Sequence, residues 1–231
     1  MVMNPKKPKL GESSLRGLLI LGLVIFMSLG SPLLHAKDND FQVWNSITLR
    51  YGVPDTKIAL VWHAENRLQN DGSDFLLFLN DLGFLYSIVK WFSIGPILRL
   101  QKPNNGDLVF VPYPEFNFIV PLGPINFLSR NRFQFFISNN PLEFQYRNLI
   151  RFSHTFTKTP VYFTPFIWDE VFLGTRGSPI SQNRLVAGNG FGFLEGKITL
   201  NLFYMFQTVR LAGIAGFQKR HIFGTNIFLN F

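Results

Sequence analysis

In "VWHAENRL", His63 and Glu65 stand two residues apart. On an extended strand that spacing puts both side chains on one face, where a carboxylate can orient an imidazole that acts as a base. A second pairing occurs in "RFSHTFT", where Ser153 and His154 have the types of a nucleophile and its base. Adjacent strand residues point to opposite faces, so those two form a hydrogen-bonded pair only across a bulge. The blander role for each His is hydrogen bonding inside a polar interior. The four His show no paired ligand spacing and Cys is absent, so the residues point to no metal, thiol chemistry or disulfide. "GNGFG" lacks the strand-to-helix context of a phosphate loop and reads as glycines bending a strand. No catalytic residue and no cofactor is assigned.

A larger set of charges is scattered singly through apolar segments: Arg67, Arg99, Arg130, Arg132, Arg147, Arg151 and Arg184, with Glu65, Glu143 and Asp169 or Glu170 as counter-charges. They form no basic patch, which argues against nucleic acid as a partner. Two chemistries suit them if they share an enclosed space. Arginine and carboxylate can interlock into a salt-bridged plug, or the excess arginine can line an anion-favouring passage.

The elements that must position these residues are short. Segments of roughly ten residues, rich in Phe, Ile, Val, Tyr and Leu, alternate with turn chemistry and predict strands near 42–51, 56–67, 75–87, 91–101, 108–119, 125–138, 142–154, 161–172, 182–194, 197–210 and 217–231. "VKW", "PLGP", "TKTP" and "EGK" are short connections, whereas "QNDGSD", "QKPNNGD", "LGTRGSPIS" and "AGIAG" are longer or richer in Gly and Asn. That asymmetry is the habit of a transmembrane barrel. The count of eleven conflicts with the even numbers of bacterial single-chain barrels. It marks one segment as misassigned, either the Pro-broken "VPYPEF" region or the N-terminal one.

Facing is legible but not its direction. Ile198, Leu200, Leu202, Tyr204 and Phe206 oppose Asn201 and Gln207, and Ile58, Leu60, Trp62 and Ala64 oppose Lys57, His63, Glu65 and Arg67. A soluble sandwich or lipocalin-like barrel alternates as well, with its apolar face inward. Composition and the two ends favour lipid. The chain has 27 Phe among 231 residues, 16% charged residues and a mean hydropathy of +0.15, against about 25% charged in typical globular chains. Lys6, Lys7, Lys9 and Arg16 precede "GLLILGLVIFMSLG", and Ala36 precedes "KDND", the pattern of a cleavable signal peptide over residues 1–36, with a membrane anchor as the competing reading. Its removal takes away four basic residues and one acid, and the net charge falls from +8 to +5. At the other end Phe223, Ile227, Leu229 and Phe231 fall on one strand face. A barrel in lipid must close, because an open edge leaves N–H and C=O groups unpaired in hydrocarbon, so this strand must pair with the first.

The expected fold is therefore all-β, an antiparallel transmembrane barrel of 10–12 strands over residues 37–231. Several motifs resemble a family of bacterial outer-membrane barrels, domain-of-unknown-function family 2490: "DFQVWNSITL", "ENRL", "RNRF", "QYRNLIRFS", "PFIWDEVF", "NRLVAGNGF" and "LNLFYMFQ". The "VPYPEFNFIVPLGP" stretch departs most from that pattern. The resemblance implies a porin-like barrel in the outer membrane of a Gram-negative bacterium and supplies no established activity. The ending also resembles the C-terminal signal of such barrels, which implies that the barrel-assembly machinery reads Phe223, Ile227, Leu229 and Phe231. Membrane lipid and lipopolysaccharide are then the expected surroundings. The leading functional expectation is a non-enzymatic narrow channel or plugged barrel, and the rival is an outer-membrane lipid hydrolase or deacylase.

Overall fold

In the computed structural model, residues 40–138, 142–158, 161–174, 180–210 and 216–231 are described; the signal segment expected at 1–36 lies outside them. Twelve strands occupy nearly all of this: β1 Asp40–Gly52, β2 Ile58–Gln69, β3 Asp74–Val89, β4 Phe92–Pro103, β5 Val109–Leu122, β6 Ile125–Phe136, β7 Glu143–Ser153, β8 Phe156–Lys158, β9 Val161–Gly174, β10 Ile180–Phe193, β11 Ile198–Val209 and β12 Gln218–Asn230. The eleven long ones match the segments expected from sequence to within about three residues, because β-branched and aromatic runs bounded by Gly, Pro and Asn leave few alternatives. The three-residue β8 folds back on the start of β9.

The long strands form a closed ring of eleven. Each pairs antiparallel with its neighbours, except that β1 and β12 run parallel, from Asp40 opposite Arg220 to Arg50 opposite Asn230. The count of eleven therefore stands, and the expectation that one segment was misassigned is corrected. An odd number of up-and-down strands brings the first and last together in the same direction, and parallel pairing satisfies their backbone groups just as closure requires. The seam continues past the strand ends, where Phe231 N–H donates to Arg50 O at 2.9 Å and Gly52 N–H donates to Phe231 O at 2.7 Å.

Both suspect segments are strands. In β5 the physical cost of its prolines is visible. Pairing with β4 is continuous from Val109 to Phe118, but pairing with β6 stops between Phe110–Ile137 and Glu115–Arg132. Pro112 and Pro114 lie in that gap, and proline has no N–H to donate to a ladder.

The barrel has distinct ends. Residues 53–57, 90–91, 123–124 and 194–197 make short connections at one end; 70–73 and 104–108 lie at the other, where β6, β9 and β11 also end. Facing is now settled as well. Large apolar side chains project outward and are exposed, among them Leu60, Leu82, Phe84, Leu98, Ile150, Ile167 and Phe223, with Leu82 reaching 62%. Most charged residues of the same strands turn inward, and Asp81, Arg99, Glu115, Arg147, Glu170 and Arg184 are buried there. This is the reverse of a soluble barrel.

Candidate functional site

The site is the barrel interior, filled by side chains from every long strand. Between β9 and β1 the filling is mainly apolar, with Gln42, Glu170, Arg184 and Gln207 as its buried polar members: Trp44, Phe166, Val186, Met205 and Ile222 form a buried cluster flanked by Trp168 and Phe203. Two glycines make room for the rings. A Cβ on Gly224 would stand 2.0 Å from Phe203 Cζ, and one on Gly188 would stand 2.5 Å from the Leu202 carbonyl oxygen and 2.7 Å from Phe166 Cζ. In "GNGFG" the first glycine is therefore set by close packing under aromatic rings.

Toward β2–β7 the filling becomes ionic. Arg99 grips Asp81 through two hydrogen bonds of 2.6 and 2.7 Å, and Tyr113 donates its hydroxyl to Asp81 Oδ2 at 3.0 Å. Arg132 Nε donates to Glu115 at 2.6 Å, and Asn117 donates to the other carboxylate oxygen at 2.9 Å. Arg67 Nε donates to Glu65 at 2.6 Å while its guanidinium stacks 3.7 Å over Trp44. Glu170 is the hub: Arg147 donates to both its oxygens at 2.9 and 3.0 Å, Arg184 donates at 3.2 Å, and Arg130 approaches at 3.5 Å. Such charge-assisted pairs offset the cost of removing each ion from water.

Of the residues singled out in the sequence, Glu65, Arg67, Arg99, Arg130, Arg132, Arg147, Arg151, Glu170 and Arg184 face the interior, and Glu143 shares that face at the long-connection end of β7. Asp169 does not. It stands opposite Ile150 and Leu185 on the outer wall, where Asn183 donates to it at 2.8 Å. Strand alternation requires this, since only one of two adjacent residues can join Glu170 inside. Among the described residues Arg151 has no carboxylate partner; its guanidinium lies 4.3 Å over Phe166.

The two His diverge. Inside, His63 Nδ1 lies 2.8 Å from Thr48 Oγ1 and Nε2 lies 3.7 Å from Glu65. His154 Nδ1 is engaged by the carbonyl of Pro124 and its ring meets Phe156 edge-on, so it is turned to partners other than Ser153. Phe223, Ile227, Leu229 and Phe231 lie on the outer face of the closing strand, the first three opposite Val43, Ile47 and Leu49 of β1.

Sequence reasoning overlooked Asp81, Glu115 and Tyr113. The signal was register across tight turns. The connection at Lys90–Trp91 sets Asp81 opposite Arg99, and the one at Gly123–Pro124 sets Glu115 opposite Arg132.

No curated protein and no solved structure matches this chain. One family pattern, described as protein of unknown function (DUF2490), matches residues 41–217, and the chain belongs to that family.

Proposed function

We propose that the chain is an integral outer-membrane protein, non-enzymatic, whose barrel is closed by its own side chains. One observation carries the choice of a plug over an open channel. Each of the four mid-barrel carboxylates is held by arginine, and Leu79, Val111, Gln134, Glu170, Val186, Met205 and Ile222, from strands all around the ring, are each at most 2% exposed. The exposed apolar outer wall supports a lipid setting, because a charge there costs about 2–4 kcal/mol near the midplane while the large apolar side chains are at home. The closing strand supports recognition by barrel-assembly machinery, since Phe223, Ile227, Leu229 and Phe231 share its outer face, with Thr225 between them as the one polar member.

Planar-bilayer recording tests the closed interior: the folded protein gives no steady conductance, and a sustained anion-selective current overturns the plug. Fractionation of the native host tests the setting. The protein sediments with outer membrane and migrates faster unheated than heated; a soluble periplasmic pool overturns it.

A second reading, hydrolysis of a lipid ester, is favoured by the Thr48, His63 and Glu65 alignment alone. It ranks below the plug because 3.7 Å exceeds a hydrogen bond and Glu65 is already engaged by Arg67. Fatty-acid release from phospholipid that disappears in His63→Ala would raise it above the first.

A further inference from the structure

The interior charges do not balance, and the imbalance has an address. Among the described residues seven mid-barrel arginines meet four mid-barrel carboxylates, with Arg50, Arg220 and Glu143 on the same inner face nearer the strand ends. Arg67, Arg99, Arg132, Arg147 and Arg184 are engaged by those carboxylates at 3.2 Å or less. Arg130 touches Glu170 at the longest separation of the set, 3.5 Å. Arg151 makes no ion pair with any described residue and rests its guanidinium on Phe166.

These two under-matched cations are neighbours. Arg130 stands opposite Leu149 and Arg151 opposite Leu128, so they sit diagonally on the inner face of β6 and β7, on the side toward the short connections. The Nε atoms of both are buried and have no acceptor. A charged donor left in that state is costly, and an acceptor that reached it would be held strongly. The Arg130 side chain is 26% exposed, and a cavity of about 310 Å³ lined by Thr155, Tyr162, Thr164, Glu195 and Thr199 lies at the same end of the barrel. Thr164 is two residues from Phe166 on the same inward face of β9.

We propose that Arg130 and Arg151 form a binding site for a phosphate-class oxyanion, entered from the short-connection end. Guanidinium forks match phosphate oxygens in shape and charge, and the hydroxyl-lined cavity offers further donors along the approach. Glu195 in the same lining repels an anion in proportion to its charge, which disfavours diphosphates and other polyanions relative to a single phosphate group. This site rests on the closed-barrel reading, because an open lumen would hydrate both guanidiniums.

Titration calorimetry of full-length protein refolded in detergent tests it, with inorganic phosphate as one probe and lysophosphatidic acid as the other. Saturable binding of phosphate is expected, roughly tenfold weaker in Arg151→Gln and in Arg130→Gln and intermediate in Arg151→Lys. If only lysophosphatidic acid binds, with the same dependence on both arginines, the natural source is a lipid headgroup. If neither probe binds, or the Gln variants bind as the parent does, the site is wrong. A measurement on the unmodified protein stands beside the variants: phosphate should raise the urea midpoint above that in chloride at equal ionic strength, and no rise also overturns the site. Bilayer conductance judges the plug separately, so failure of the site and failure of the closed barrel are distinguishable.

Discussion

On the β9–β1 side the barrel interior holds Trp44, Phe166, Val186, Met205 and Ile222; on the β2–β7 side it holds Asp81 with Arg99 and Tyr113, and Glu115 with Arg132 and Asn117. Both fillings exclude water, yet they fail in different ways. The apolar side depends on volume, and its glycines are fitted to rings at contact distance. The ionic side depends on every charge keeping its partner, because removing one leaves the other buried and alone. Trp44 and Glu170 lie where the two meet: Arg67 and Arg184 both lie over the indole, at 3.7 and 4.9 Å, and Arg184 also reaches Glu170.

The largest break in this comparison is Glu170→Ala. It removes the shared acceptor of Arg130, Arg147 and Arg184, and we expect a loss of about 3–5 kcal/mol in urea unfolding of the barrel in lipid vesicles. A loss below about 1 kcal/mol would mean that the hub is hydrated and the ionic side loosely packed.

Next comes Gly224→Val on the apolar side. The added atoms collide with the Phe203 ring, and overpacking of this kind costs about 1–3 kcal/mol. Phe203→Leu in the same chain should restore part of that loss. If the double variant is no better than the single one, the collision is with backbone and the volume argument for this side falls.

How much of this was legible in the sequence differs between the two sides. Strand number and bounds were readable because Phe-rich segments and turn residues punctuate the chain. Direction was not, since Ile58, Leu60 and Trp62 alternate with polar residues equally well in a barrel turned either way. The arginines announced themselves as isolated charges in apolar runs. Asp81 was hidden because its own face of β3 also carries Leu77, Leu79 and Leu85. Glu115 was hidden among prolines that argued against a strand at all. The parity argument misled for a specific reason: it assumed antiparallel closure, whereas β1 and β12 close in parallel.

The smallest expected effect sharpens the comparison most. Asp81, Arg99 and Tyr113 can be replaced together by Leu, Met and Phe, which converts one ionic knot into filling like that of the opposite side. Asp81→Leu alone should be severely destabilising, because the guanidinium of Arg99 loses both its hydrogen bonds and the hydroxyl of Tyr113 loses its acceptor. The triple change removes all three polar groups at once and leaves nothing unpaired among them, and the new side chains approximate the old in volume. Removing a buried ion pair whole is commonly neutral or stabilising, so the urea midpoint of the triple variant should lie within about 1 kcal/mol of the parent or above it. The same barrel should also remain silent in a planar bilayer, since apolar side chains exclude water as well as paired charges do. A triple variant that unfolds like Asp81→Leu would show that the ionic side specifies the register of β3, β4 and β5 as well as filling the space between them.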